Sequence, residues 1–155
     1  MKDQTVWDKR FLHLAREISS YSKDPSTRVG AVIVNNRQQV VGSGYNGFAR
    51  GVSDDPERYL DRELKLRLII HAEVNACIQA GKEAQGSTLY VWPSFILPPV
   101  CHECAKVVIQ SGIKRVVGFT PNPEDFERGK RWEDSIYWSH VMFREAGVQQ
   151  VEIYQ

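Results

Sequence analysis

No apolar run in the 155 residues approaches the length needed to cross a bilayer, and the first residues lead into a mixed-charge segment with no signal-peptide core. The expectation is a soluble, cytoplasmic protein with no membrane partner. Excess charge is missing too, because 20 Lys and Arg against 19 Asp and Glu leave a net charge of +1. That balance disfavours sequence-independent binding to a nucleic-acid backbone, so no polynucleotide partner is expected. Internal repeats, low-complexity tracts and linkers are absent, and 155 residues suit one domain rather than two. Residues 1–155 are therefore read as a single domain. Only three cysteines are present, an odd number with two of them three residues apart, which favours metal binding over a disulfide framework.

What is present has the composition of a folding chain, with 42% apolar and 25% charged residues. Phe11, Leu12, Ala15 and Ile18 recur at helical spacing, which predicts an amphipathic helix from about Trp7 to Tyr21 with a cap between Thr5 and Asp8. Val29 to Val34 and Val40 to Tyr45 read as strands joined by a turn at Asn35-Asn36-Arg37. Asn46 to Pro56 reads as loop, and the charged stretch from Glu57 to Arg67 as helical. Helices are expected over His71–Ala80, Cys101–Gln110 and Ser135–Ala146, each followed closely by glycine. Strands at Ser87–Trp92, Lys114–Phe119 and Val148–Tyr154 alternate with them. An antiparallel hairpin followed by β-α-β alternation predicts an α/β fold: a mixed five-stranded sheet with helices on both faces.

The chemistry concentrates at two of these predicted helix starts. His71-Ala72-Glu73 opens one and Cys101-His102-Glu103-Cys104 opens the other. Residues two apart inside a helix point to nearly opposite sides, so His71 and Glu73 can converge on one site only at a helix end. Cys101 and Cys104 share a face, and the positive end of the helix favours their thiolates. One His and two Cys suit tetrahedral zinc with a fourth position open for water, one ion per chain. The pattern described for zinc nucleobase deaminases is H-x-E then P-C-x-x-C, in which the Glu is general acid and base and is not a ligand. Zinc brings the pKa of bound water from about 16 towards about 7, and Glu73 would carry the proton to the ring and then to the departing amine. A redox pair or half of a structural four-ligand zinc site is the alternative for the cysteines. Cys77 reads as a small core residue, and His102 as facing away from the metal.

Several segments together resemble the cytidine and deoxycytidylate deaminase superfamily, and its deoxycytidylate deaminases most. They are Ser22-Lys23-Asp24-Pro25-Ser26-Thr27-Arg28-Val29-Gly30-Ala31, Gly44-Tyr45-Asn46-Gly47, Ser53-Asp54-Asp55, His71-Ala72-Glu73-Val74-Asn75-Ala76 and Cys104-Ala105-Lys106. The resemblance runs from about residue 10 to about residue 119. It implies the three-layer cytidine-deaminase fold, deamination of dCMP to dUMP with release of ammonia, and a homo-oligomer, with a hexamer favoured. It also implies dCTP and dTTP as effectors, with Mg2+ accompanying the effector nucleotide. Asn46 and Ala72 would by the same resemblance contact the nucleotide. Other deaminase substrates, including a modified pyrimidine nucleotide, and a non-catalytic zinc-folded nucleotide-binding regulator are the competing readings.

The family places Pro directly before the first metal cysteine, whereas Pro98-Pro99-Val100-Cys101 puts Val between them, after an unusual Trp92-Pro93-Ser94-Phe95-Ile96-Leu97 run. Gly42-Ser43-Gly44-Tyr45-Asn46-Gly47 matches the G-x-G-x-x-G dinucleotide fingerprint, but a loop follows it where that motif needs a helix. A nucleotide phosphate calls for cations, and Lys23, Arg28 and Arg50 flank the loops that carry the resemblance.

Overall fold

The computed structural model describes residues 3–155, and its order of elements follows the expected alternation. The first helix, α1 (Gln4–Ser19), buries Asp8, Phe11, Leu12 and Ala15 on one stripe. Its cap is Asp3, whose carboxylate accepts from the Thr5 backbone N–H at 2.9 Å, so the cap lies upstream of the expected Thr5 to Asp8. Strands β1 (Gly30–Val34) and β2 (Val40–Tyr45) form the antiparallel hairpin. Strand β5 (Thr88–Trp92) joins β1 antiparallel, and β6 (Arg115–Phe119) and β7 (Gln149–Ile153) continue in parallel. The sheet order is therefore β2-β1-β5-β6-β7, the mixed five-stranded sheet anticipated from the sequence.

Alternation along β1 divides the core into two layers. Val32 and Val34 face α1 together with Tyr90, Val117 and Phe119, while Ala31 and Ile33 face the opposite layer. That opposite layer consists of α4 (Ala72–Ala80), α5 (His102–Gln110) and α7 (Glu133–Glu145). Helices thus cover both faces, and β1, buried along its whole length, reads as a continuous apolar run for that reason.

Three segments differ from expectation. The charged stretch forms two short helices, α2 (Pro56–Leu60) and α3 (Arg62–Leu68), because Asp61 is extended and its side chain caps Leu64 N–H at 3.1 Å. Within the expected loop, β3 (Gly47–Phe48) pairs with β4 (Ile69–Ile70), and two-residue strands leave no alternation to read. Helix α6 (Pro123–Gly129), capped by Asn122, has a single large apolar side chain, the exposed Phe126, and so carries no apolar period.

Asp8 fastens α1 to the sheet. Arg115 reaches its carboxylate with two hydrogen bonds, at 2.6 and 2.8 Å, and the Tyr90 hydroxyl donates at 2.7 Å. Burial alone would raise the Asp8 carboxyl, but the bonds from Arg115, Gln4 and Tyr90 overrule it and hold the group below its ordinary value. A depressed carboxyl stabilises the fold fully where the unfolded group is ionised, above about pH 5, and loses that effect as pH falls through the folded value. Asp8→Ala is expected to cost about 3–5 kcal/mol in urea unfolding at pH 7, because it strands a half-buried guanidinium. The deficit should shrink in acid; a cost below about 1 kcal/mol at pH 7 would show that the pair does not fasten the layers.

Candidate active site

His71 occupies the cap position before α4 in extended backbone, at φ −71° and ψ 152°, and Glu73 is the second residue of the helix. That break in conformation allows two residues two apart to serve one site, as the helix-end placement requires. Cys101 caps α5 in the same way, at φ −70° and ψ 163°, with Cys104 in the first turn donating its backbone N–H to Cys101 Sγ at 3.5 Å.

Two glycines set how α4 approaches. A side chain on Gly44 would begin 2.6 Å from the Ala72 carbonyl oxygen, and one on Gly42 2.5 Å from that of Ala76. The G-x-G-x-x-G run is therefore a packing surface on which α4 lies, and helix backbone fills the space beside its first two glycines.

His71 Nδ1 stands 3.2 Å from Cys104 Sγ and 3.5 Å from Cys101 Sγ, and the three donor atoms all lie within 4.8 Å of one another. Tetrahedral zinc with ordinary bond lengths would set nitrogen and sulfur about 3.6 Å apart, so the donor set fits that ion. The Cys101 thiol is drawn down to about 4 by the hydrogen bond from the Cys104 thiol, and by His71. Cys104 is pushed well up by the same bond and by burial. His71 is raised to about 9 by its bond to Cys101. One negative sulfur therefore already faces a proton-rich pair, and a divalent cation would replace those protons. Glu73 is buried, and burial raises its carboxyl to about 6, near the range a proton shuttle needs at neutral pH.

A cavity of about 680 Å³ opens over this group, with His71, Ala72, Glu73 and Cys101 on its lining. The family profile of the cytidine and deoxycytidylate deaminase zinc-binding region matches residues 5–120. The chain belongs to this deaminase family. An uncharacterized deaminase from the luxG 3' region of Aliivibrio fischeri is 40% identical over 146 residues, covering 92% of this chain and 90% of that protein. Human deoxycytidylate deaminase is 35% identical over 154 residues, covering 94% of this chain and 79% of the human protein. In fold, the deaminase matches the cyanophage S-TIM5 dCMP deaminase solved with dCMP and dUMP, at TM-score 0.64, 22% identity and coverage of 100% and 99%. The activity class is thus hydrolytic deamination, and among the described residues the His/Cys/Cys group is the cluster that fits the zinc of this region.

The substrate residues expected from sequence divide. Asn46 and Ala72 line the cavity, but the Asn46 amide already accepts from Val29 N–H at 2.8 Å and donates to the Thr27 carbonyl at 2.8 Å, so it anchors the loop before β1. Lys23, Arg28 and Arg50 are not on the cavity wall; Lys23 pairs with Asp54, and Arg28 donates to the Asp24 carbonyl at 3.3 Å. The cations on the wall are Arg62, Lys65, Arg128 and Arg131. Sequence reading passed over them because they lie on short helices, or on the turn after one, outside every quoted motif. The Phe95-Ile96 run does reach the wall, as do Pro93 and Pro99. His102 turns to α7, its Nδ1 2.7 Å from Ser135 Oγ, and Cys77 sits in the core.

Cys104→Ser should lower bound zinc, measured by inductively coupled plasma mass spectrometry, from about one ion per chain to under a tenth. Full zinc occupancy in that variant would remove Cys104 from the ligand set.

Proposed function

We propose that this deaminase converts dCMP and water to dUMP and ammonia as one domain spanning residues 1–155, with Glu73 as the catalytic residue and His71, Cys101 and Cys104 as the zinc ligands. The observation that carries the reading is the buried Glu73 carboxyl beside a His/Cys/Cys donor set, on a cavity that also has cations on its wall. Curated relatives at 35–36% identity over 94% of this chain bear the name deoxycytidylate deaminase, which supports the choice of substrate.

Zinc held by the three ligands supplies Lewis acidity that makes water a nucleophile near neutral pH. The chain's own part is to position and move protons. Glu73 accepts the proton that the attacking water loses as its oxygen bonds to the amino-bearing ring carbon, and delivers it to the adjacent ring nitrogen. A second proton passes to the amine, the carbon–nitrogen bond breaks, and ammonia leaves with the carbonyl formed. A carboxyl raised to about 6 by burial accepts and returns protons at neutral pH with little penalty either way. Pro93, Phe95, Ile96, Pro99 and Ile69 give the base an apolar wall that excludes water from the reacting carbon.

A homo-oligomer is supported by large apolar side chains left in solvent, Ile78 at 70% exposure and Leu60 at 75% among them, and the choice of a hexamer rests on the resemblance alone. Regulation by dCTP and dTTP with Mg2+ rests on the resemblance alone. The cytoplasmic reading rests on three unpaired cysteines and on the lack of a helix long and apolar enough to cross a membrane among the described residues.

Glu73→Ala is expected to keep its zinc while losing at least about 1000-fold in turnover of dCMP, measured as ammonia release. Retained turnover would remove Glu73 from the mechanism. A panel of dCMP, CMP, dCTP, deoxycytidine, cytosine, guanine and 5-substituted dCMP, with zinc-loaded protein, should show selective turnover of dCMP. Turnover of a 5-substituted nucleotide alone would assign the apolar wall to that substituent and overturn dCMP as substrate.

A further inference from the structure

The cations on the cavity wall differ in what holds them. Lys65 is committed, with Nζ 3.2 Å from Asp24 Oδ2 and 2.8 Å from Ser26 Oγ. Arg62 and Arg131 have no carboxylate partner among the described residues, and Arg128 has only Asp125 at 4.0 Å. Glu127, the acid on the same stretch of wall, is bridged to Lys130 at 2.9 Å. Three guanidiniums from two separate segments thus share one cavity wall with little opposing charge. Partial burial, with repulsion from Arg62 and Arg128 added to it, pulls Arg131 below its usual range.

The two arginines of the second segment are braced. Arg131 lies over the Trp132 ring at 4.1 Å and Arg128 over the Phe95 ring at 5.0 Å, and the two rings are 5.4 Å apart. Phe95 belongs to the run that departs from the family pattern before Cys101. That run is fitted to α6, since a side chain on Gly129 would begin 2.7 Å from Ile96 Cγ1 and 2.8 Å from the Phe95 carbonyl oxygen. The segment that forms one wall of the base pocket therefore also carries the aromatic support for Arg128. Stacked guanidiniums with free N–H edges suit the planar, two-point contacts that phosphate oxygens accept.

We propose that Arg62, Arg128 and Arg131 form the subsite for the substrate's 5'-phosphate, braced by Phe95 and Trp132, in place of the Lys23, Arg28 and Arg50 group indicated by sequence. This assignment rests on the reading of the chain as a nucleotide deaminase. A phosphate monoester carries nearly two negative charges at neutral pH, which satisfies the three guanidiniums and ties α3 to α6 across the cavity. Because the clamp grips only the phosphate, it separates nucleotide from nucleoside and leaves recognition of the base to the inner wall.

Arg62→Gln, Arg128→Gln and Arg131→Gln, each checked for an unchanged circular dichroism melt, should lower kcat/KM for dCMP by about 10- to 100-fold, the range for one charge-assisted hydrogen bond. Their kcat/KM for deoxycytidine should stay within about twofold of the wild type. Unchanged selectivity for dCMP over deoxycytidine in all three would overturn the clamp, as would the same loss in Lys23→Gln, Arg28→Gln or Arg50→Gln instead. Titration of tryptophan fluorescence with dUMP and with deoxyuridine separates the two levels of the reading. Wild-type protein that binds dUMP in preference to deoxyuridine, with the preference lost in Arg131→Gln, supports the clamp even if dCMP is not turned over, an outcome that would sink only the proposed reaction. Equal binding of dUMP and deoxyuridine by the wild type would overturn the clamp itself.

Discussion

The approach of α4 to β2 sets the site, because the Ala72 carbonyl lies where a side chain on Gly44 would have to start. Only a strand with Gly at positions 42 and 44 lets the helix come this near. The helix start carries His71 and Glu73 with it, and α5, packed beside α4 in the same layer, brings Cys101 and Cys104 to meet them. Parallel pairing of β5 and β6 makes α5 a crossover helix, so its N-terminus lies beyond the carboxyl end of β5. Ligand convergence is thus a property of layer packing, since no single element holds more than two of the donors.

The opposite layer depends on charge where this one depends on closeness. Asp8, Arg115 and Tyr90 form a buried set whose members satisfy one another, and the carboxylate stays ionised because the bonds to it outweigh the cost of burial. The cavity wall presents the reverse case, cations on a folded scaffold with little countercharge. A folded chain can leave guanidiniums facing one another in solvent at small cost, whereas the same arrangement around Asp8 would not survive burial. The contrast separates charges that hold the fold from charges available to a ligand.

Much of the fold was legible because long periodic segments report their own burial. The stripe of Phe11, Leu12 and Ala15, the apolar run of β1 and the glycine after each of α4, α5 and α7 placed those elements within a few residues. The short elements were not legible. Gly47-Phe48 and Ile69-Ile70 become strands only by pairing with each other, and α6 buries too little apolar surface to leave a period. The G-x-G-x-x-G run shows how one pattern of residues can serve two purposes, for glycine permits close approach whether the approaching group is a phosphate or a helix.

Residue chemistry and spacing alone singled out His71, Cys101, Cys104 and Glu73 for the proposed metal-ligand set and proton shuttle, because His, Glu and two Cys at helix starts are scarce in combination and each role demands its own functional group. The cations proposed for the phosphate could not be found that way, since arginine and lysine are common, long and solvated, and nothing in the order of residues says which of them share a wall. Lys23 and Arg28 adjoin the motif in sequence yet turn to Asp54 and to the Asp24 carbonyl, while Arg62, Arg128 and Arg131 meet on one cavity wall. Only tertiary structure decides that, because it is set by where α3 and α6 are packed and by which carboxylates are already paired.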